Sequence, residues 1–240
     1  MPRKSRAKPL SPFKGFNSSP EVIRLVVLMY VRFPLSLRNV EDLLFERGID
    51  LCHETVRFWW NRFGPLFAAD IRRQRVSRMR GLRHWKWHLD EIYVRVNGEM
   101  VYLWRAVDHE GEVLESYVTR TRDKAAALRF MKKALKRHGS PVAITTDGLR
   151  SYRAAMTQLG NAEKQEIGRY ANNRAENSHL PFRRRERAML RFRQMRSLQK
   201  FASIHASIHN HFAQERHLVD RTTFKERRSA ALAEWQMLAA

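Results

Sequence analysis

In a chain of 240 residues with 46 Lys and Arg against 24 Asp and Glu, the informative acids are those that fall where apolar residues are expected. Asp90 interrupts the strand-forming run Trp87-His88-Leu89-Asp90-Glu91-Ile92-Tyr93-Val94, where an ionised aspartate is costly unless paired, capped or bound to a cation. Asp147 closes Ile144-Thr145-Thr146-Asp147-Gly148, a strand end that feeds a helix, the place where open α/β sheets put functional groups. Glu176 lies at a helix start in Asn172-Asn173-Arg174-Ala175-Glu176-Asn177. Each residue also has a plain structural use: Asp147 before Gly148 suits a turn or N-cap, and Glu176 three residues after Asn173 suits a capping box. Brought together, three carboxylates raise one another's pKa unless hard divalent cations lie between them. Two such ions form the arrangement used for displacement at a phosphodiester.

The elements that would position these acids follow from periodicity. Residues 20–67 read as helical, with Val22, Leu25, Val26, Met29 and Tyr30 on one face of a first helix. Ser36 caps a second helix carrying Leu37, Val40, Leu43 and Leu44, and Gly48 suits its C′ position. A third, Cys52 to Phe63, presents Val56, Trp59, Trp60 and Phe63, and the three form a helix-turn-helix pattern. Strands are expected over 85–96, 101–107 and 113–119, the first two joined by Asn97-Gly98, a strong hairpin signal. A helix over 124–137, a short strand over 142–146 after Pro141, a helix near 151–159 and a weaker strand near 164–170 follow, with helices beyond. The fold class is therefore α/β, a βββαβαβα mixed sheet preceded by an all-α helix-turn-helix domain. In that order the first and fourth strands are neighbours, which brings Asp90 and Asp147 to one end of the sheet. The expected divisions are a basic flexible arm (1–18), the helical domain (19–68), an Arg-rich connector (69–84), the catalytic domain (85–217) and a helical tail (218–240).

The formal charge of +22 points to a polyanion, most often nucleic acid. The single cysteine, Cys52, excludes an internal disulfide and a Cys-rich zinc site and points to a reducing compartment. No apolar run approaches the ~20 residues of a membrane span, no signal-peptide pattern follows the basic N-terminus, and no Gly-rich phosphate loop suggests ATP use. Expected DNA contacts are His53, Glu54, Thr55 and Arg57 at the start of the third helix, Arg72, Arg73 and Arg75 in the connector, and Arg183, Arg184, Arg185 and Arg187 just beyond Glu176. His205 and His209 lie four apart on a helix without a third ligand and read as flanking a core face.

Trp87 to Glu91 with Tyr93 to Gly98, Tyr102 to Asp108, Thr145-Thr146-Asp147 and Tyr170 to Glu176 together resemble transposases of the IS-six family of bacterial insertion sequences. The resemblance runs from the helix-turn-helix to about residue 217. It implies a ribonuclease H-like core of the retroviral-integrase type, with Asp90, Asp147 and Glu176 as the metal ligands of a DDE site holding two Mg²⁺, or Mn²⁺. It also implies a basic residue seven positions after the glutamate, here Arg183, although Pro181 in between is expected to kink or restart the helix. Glu166 and Glu186 are the fallback third ligands. The implied activity is binding of element terminal inverted repeats, strand cleavage and transfer of a 3′-hydroxyl into target DNA. The expected partners are DNA and at least one further copy of the chain, with no membrane and no small-molecule substrate, in the bacterial cytosol at the nucleoid. The alternatives are a non-enzymatic helix-turn-helix regulator and a nuclease acting on RNA–DNA hybrids.

Overall fold

The computed structural model describes residues 11–78, 86–168, 171–189, 191–213 and 218–239, with the side chains of 76–78 excepted. The start of the basic arm, the connector arginines Arg78, Arg80 and Arg83 as side chains, and Tyr170 lie outside the described residues. Eight α-helices and five strands are described: α1 (Pro20–Arg32), α2 (Leu37–Phe45), α3 (His53–Arg78), β1 (Lys86–Val96), β2 (Glu99–Asp108), β3 (Val113–Thr119), α4 (Lys124–His138), β4 (Ala143–Thr146), α5 (Arg150–Gln158), β5 (Gln165–Ile167), α6 (Asn173–Ala188), α7 (Met195–Phe212) and α8 (Arg221–Gln236).

The sheet order is β3-β2-β1-β4-β5. The first three strands are antiparallel neighbours, whereas β4 runs parallel to β1, and β5 runs parallel to β4. This is the mixed sheet the element order predicts, in the ribonuclease H-like arrangement that the resemblance implies. Local chemistry makes the β1–β2 hairpin: Asn97 has φ 48° and Gly98 φ 89°, the positive pair a type I′ turn requires. The hydrophobic alternation along β1 divides its residues between two cores. Leu89 joins Trp87, Trp104, Phe130, Ile144 and Tyr152 under α4 and α5. Ile92, Val94 and Val96 join the other face, beneath α6 and α7.

That second core crosses the divisions expected from sequence. It is continuous from Phe13 through Val26, Phe63 and Phe67 to Phe182, Phe201, Phe212 and Trp235. Helices α1 and α3 and the C-terminal helix α8 thus bury apolar faces against the same α7 that covers the sheet, and α2 packs on α1 and α3. The connector differs from expectation as well, because α3 runs unbroken through Gly64 and Pro65 to Arg78. A proline deprives the carbonyl four residues earlier of its N–H donor. Here that carbonyl belongs to Asn61, and Lys200 Nζ on α7 donates to it at 2.9 Å. With the break repaired, the arginines beyond, which are good helix formers, continue the helix.

The tail is fastened at several points. Arg24 donates to the Leu238 carbonyl at 2.9 and 2.7 Å, and the Ala239 amide donates to Asp70 at 2.9 Å. The Trp235 ring packs against Phe67 and Phe212 with only 2% of its surface exposed. No described helix is long and apolar enough to cross a membrane. Trp235→Ala is therefore expected to destabilise the whole chain by about 3–5 kcal/mol, the usual cost of emptying a buried aromatic site. Thermal melting followed in the N-terminal helices and in the sheet should shift together; a shift confined to the tail would show that α8 is not part of the common core.

Candidate active site

β1 and β4 run parallel and pair only at Lys86 to His88, so they diverge where Asp90 and Asp147 emerge. Gly148, at φ 83°, turns the chain away immediately after Asp147, and a Cβ there would sit 3.4 Å from Ile167. Carboxylate oxygens of Asp90, Glu91 and Asp147 lie within 4.8 Å of one another. Glu176 stands outside this group, exposed on the first turn of α6, yet close enough to raise the Asp90 pKa. The sequence-predicted trio is thus brought to one edge, and Glu91 joins it.

Glu91 was hidden because alternation along β1 turns it toward the opposite core from Asp90. Its side chain is buried, accepts from Tyr152 Oη at 2.9 Å and pairs with Arg122 Nε at 2.5 Å. Arg122, in the loop between β3 and α4, also approaches Asp147 Oδ2 at 3.6 Å and donates to Tyr93 Oη at 2.9 Å. No sequence spacing marks Arg122 or Tyr152, since both reach the site through the fold. Burial, and then the neighbouring Glu91, push Asp90 up to about 7. His179 Nδ1 lies 3.8 Å from Asp90 Oδ2, but burial and the adjacent Arg105 and Arg183 hold the imidazole down to about 3, so it gives Asp90 no counter-charge. An all-carboxylate donor set of this kind suits a hard divalent cation such as Mg²⁺ or Mn²⁺ rather than a soft one.

Two bonds hold α6 against this edge. Asn172 Nδ2 donates to the Leu89 carbonyl at 3.0 Å, and Arg105 Nη1 donates to the Ser178 carbonyl at 2.8 Å. Arg105 is the cross-strand partner of Asp90. It is 2% exposed, and burial lowers its pKa to about 10. The Asn172-Asn173 signal therefore has a different use from a capping box: Asn172 is the N-cap residue, and its side chain ties the helix to β1.

The break expected at Pro181 does not occur, and α6 is continuous from Asn173 to Ala188. Glu176, His179 and Arg183 therefore share one face, at helical spacings of three and four. Arg183 itself pairs with Glu186 at 2.5 Å, and Glu166 pairs with Lys86 at 2.6 Å, so neither fallback glutamate enters the carboxylate cluster.

The arginines of the expected DNA track separate. Arg184 and Arg187 are exposed. Arg185 is buried at 1%, donates to the Leu35 carbonyl at 2.9 Å and lies over the Tyr30 and Phe201 rings, so its position is one of packing and its assignment to DNA contact is corrected. Arg72 donates to Ser207 Oγ, Arg73 pairs with Asp70, and Arg75 pairs with Asp108 and Glu112. Arg75 thereby joins α3 to the β2–β3 turn, whose acids Asp108, Glu110 and Glu112 form a second cluster.

At the start of α3, Glu41 accepts from the His53 amide at 3.1 Å and its ring Nδ1 lies 3.0 Å away, while Arg57 pairs with the exposed Glu54. Cys52 is exposed beside Thr55, whose hydrogen bond lowers its pKa. His205 and His209 stack in the core, and burial lowers the pKa of both.

The raised Asp90 has a measurable consequence. Between the ordinary aspartate range and about 7 the folded state holds a proton that the unfolded chain has lost. Stability in chelator must then fall as pH rises through that window. Asp90→Asn is expected to melt several degrees above wild type at pH 8 without divalent ions, with the gap shrinking as pH falls through that window and closing only in the ordinary aspartate range. A gap independent of pH would remove the shift. Asn172→Ala should cost only about 1 kcal/mol of stability while reducing turnover on the order of tenfold or more; equal, small effects on both would make it a structural tie alone.

The DDE-domain family matches residues 84–215. The chain is 31% identical over 172 residues to the transposase for insertion sequence-like element IS431mec of Staphylococcus aureus, covering 70% of this chain and 74% of that one. The same identity and coverage hold for the transposase of insertion sequence element IS257 in transposon Tn4003 of Staphylococcus aureus. Among solved structures, the catalytic domain of the Mos1 mariner transposase gives a TM-score of 0.35 at 16% identity, over 71% of this chain and 93% of that one. With the matched DDE-domain family and the two Staphylococcus aureus relatives, and with acids gathered where the parallel strands of the sheet part, the chain belongs to the IS-six family of DDE transposases.

Proposed function

We propose that this DNA transposase binds the terminal inverted repeats of an insertion sequence through the N-terminal end of α3, and cleaves and joins DNA at the edge formed by Asp90, Asp147 and Glu176. The convergence of Asp90, Glu91 and Asp147 oxygens within 4.8 Å, with Glu176 beside them, carries this reading. Asp90, Asp147 and Glu176 would hold two Mg²⁺ ions, or Mn²⁺, which when bound supply activation of the attacking oxygen and stabilisation of the leaving one. Water first displaces a 3′-oxygen from phosphorus, freeing a 3′-hydroxyl. That hydroxyl then attacks a target phosphodiester, exchanging one P–O bond for another.

Arg183, once released from Glu186, would meet a phosphate on the Glu176 face of α6, and Arg184 and Arg187 would follow the backbone beyond it. Arg72, Arg73 and Arg75 would lie near the backbone between the reading helices and the sheet. His53, Glu54, Thr55 and Arg57 would read base edges in a major groove, with Arg57 the side chain suited to guanine. Two element ends must be held at once, which supports action as at least a dimer, in the bacterial cytosol at the nucleoid.

Strand transfer by purified protein on element-end duplexes with Mg²⁺ tests the reading. Asp90→Asn, Asp147→Asn and Glu176→Gln should each lose on the order of a hundredfold or more, while gel-shift binding of the ends is retained. If Glu176→Gln keeps activity and Glu91→Gln loses it, the third ligand is Glu91. Full activity in all the variants would favour a regulator without chemistry. Arg57→Ala should narrow the preference for element ends over random DNA by about 1–3 kcal/mol; an unchanged preference would move sequence reading elsewhere.

A further inference from the structure

Three carboxylates packed within 4.8 Å need compensation before any metal arrives, and the side chains around them provide it unevenly. Asp90 accepts from the Glu91 backbone amide at 3.0 Å and has the neutral His179 near it, with no cationic side chain paired to it among the described residues. Glu91 and Asp147 share one guanidinium, that of Arg122, at 2.5 and 3.6 Å. Tyr93 Oη accepts from the same guanidinium at 2.9 Å, and the Tyr93 ring lies beneath it at 5.9 Å from the centroid. Arg122 is only 29% exposed as a side chain, and it belongs to a short loop between β3 and α4 that Asp123 fixes by capping α4. Its position is therefore held from both sides, with Tyr93 as the contact that does not depend on the acids.

We infer that Arg122 is the resident counter-cation of the metal-free site, which divalent ions displace from Asp147 and which DNA phosphate then receives, so that metal and DNA bind cooperatively through this one side chain. The inference rests on the proposed metal-binding role of the carboxylates. With Asp90, Glu91, Asp147 and Glu176 ionised, two divalent ions balance the four negative charges, and the guanidinium is left in excess. A bound phosphodiester restores the balance, and Arg is the side chain that grips phosphate through paired N–H donors. Exposed Arg120, two residues earlier in the same loop, adds charge on that side. Coupling of this kind is reciprocal: whatever DNA adds to metal affinity, metal adds to DNA affinity.

The probe is Mn²⁺, titrated into the full chain and followed by the electron paramagnetic resonance of the free ion. It is measured with and without an element-end duplex whose 3′ terminus is dideoxy, so that nothing can be joined. Wild type should bind Mn²⁺ on the order of tenfold more tightly with the duplex present. Arg122→Gln should bind Mn²⁺ several-fold more tightly than wild type in the absence of DNA, and the gain from DNA should disappear. Arg122→Lys, which keeps the charge, should retain part of the coupling, and melting curves identify any variant that fails to fold. Unchanged or weaker Mn²⁺ affinity in a folded Arg122→Gln, or a DNA gain equal to wild type, would overturn the role of Arg122. Asp147→Asn separates the two readings: if it binds Mn²⁺ as wild type does, the carboxylates are not the metal site, and the failure lies there instead.

Discussion

Mutual repulsion of carboxylates at the parting of β1 and β4 is the constraint around which the remaining structure is arranged. Parallel pairing that stops at His88 opens a gap, and the gap is filled with Asp90, Glu91 and Asp147. Such a cluster disfavours the folded state, as the upward shift of Asp90 records, and holds together because both cores around it are well packed. Burial raises the Glu91 pKa, and Tyr152 and Arg122 partly offset it by hydrogen bonding and pairing, whereas Asp90 faces a histidine kept neutral by burial. The acids are thus unequal, one neutralised through its neighbours and one exposed to a choice between proton and metal.

Much of this was legible in the sequence, for physical reasons that differ by element. Asn97-Gly98 dictates its hairpin because few other dipeptides tolerate two positive φ angles. Asp90 stands out because an aspartate inside a strand is anomalous, and Asp147 because a strand end is a functional place. Glu91 was not legible, since alternation turns it to the opposite face of β1 from Asp90 and only the fold brings its carboxylate to the same edge. Arg122, Tyr152 and Arg105 come from distant segments, and only tertiary packing gives them their roles. Pro181 argues locally for a kink or restart, yet Arg105 braces the turn just before it, and Lys200 likewise supplies the donor that Pro65 withholds inside α3.

Charge abundance was a poorer guide than charge placement. Arg185 and Arg187 are two residues apart in one basic run, yet one is sealed between Tyr30, Phe201 and the Leu35 carbonyl while the other meets solvent. The buried guanidinium connects α6, which carries Glu176, to the segment joining α1 and α2. A helix that bears a candidate ligand is in this way packed directly onto the helices that would hold DNA, with no flexible tether between them among the described residues.

The unbroken α3 carries that coupling further. A helix of 26 residues is about 39 Å long at 1.5 Å per residue, slightly more than one turn of B-form DNA at about 34–36 Å. Its first residues are those proposed to read bases, and Arg75 near its other end is fixed to the acids of the β2–β3 turn. On the proposed reading, α3 would act as a ruler. The separation between the bases recognised and the phosphate attacked would be set by helix length, so a family member could change its element ends in sequence far more readily than in spacing.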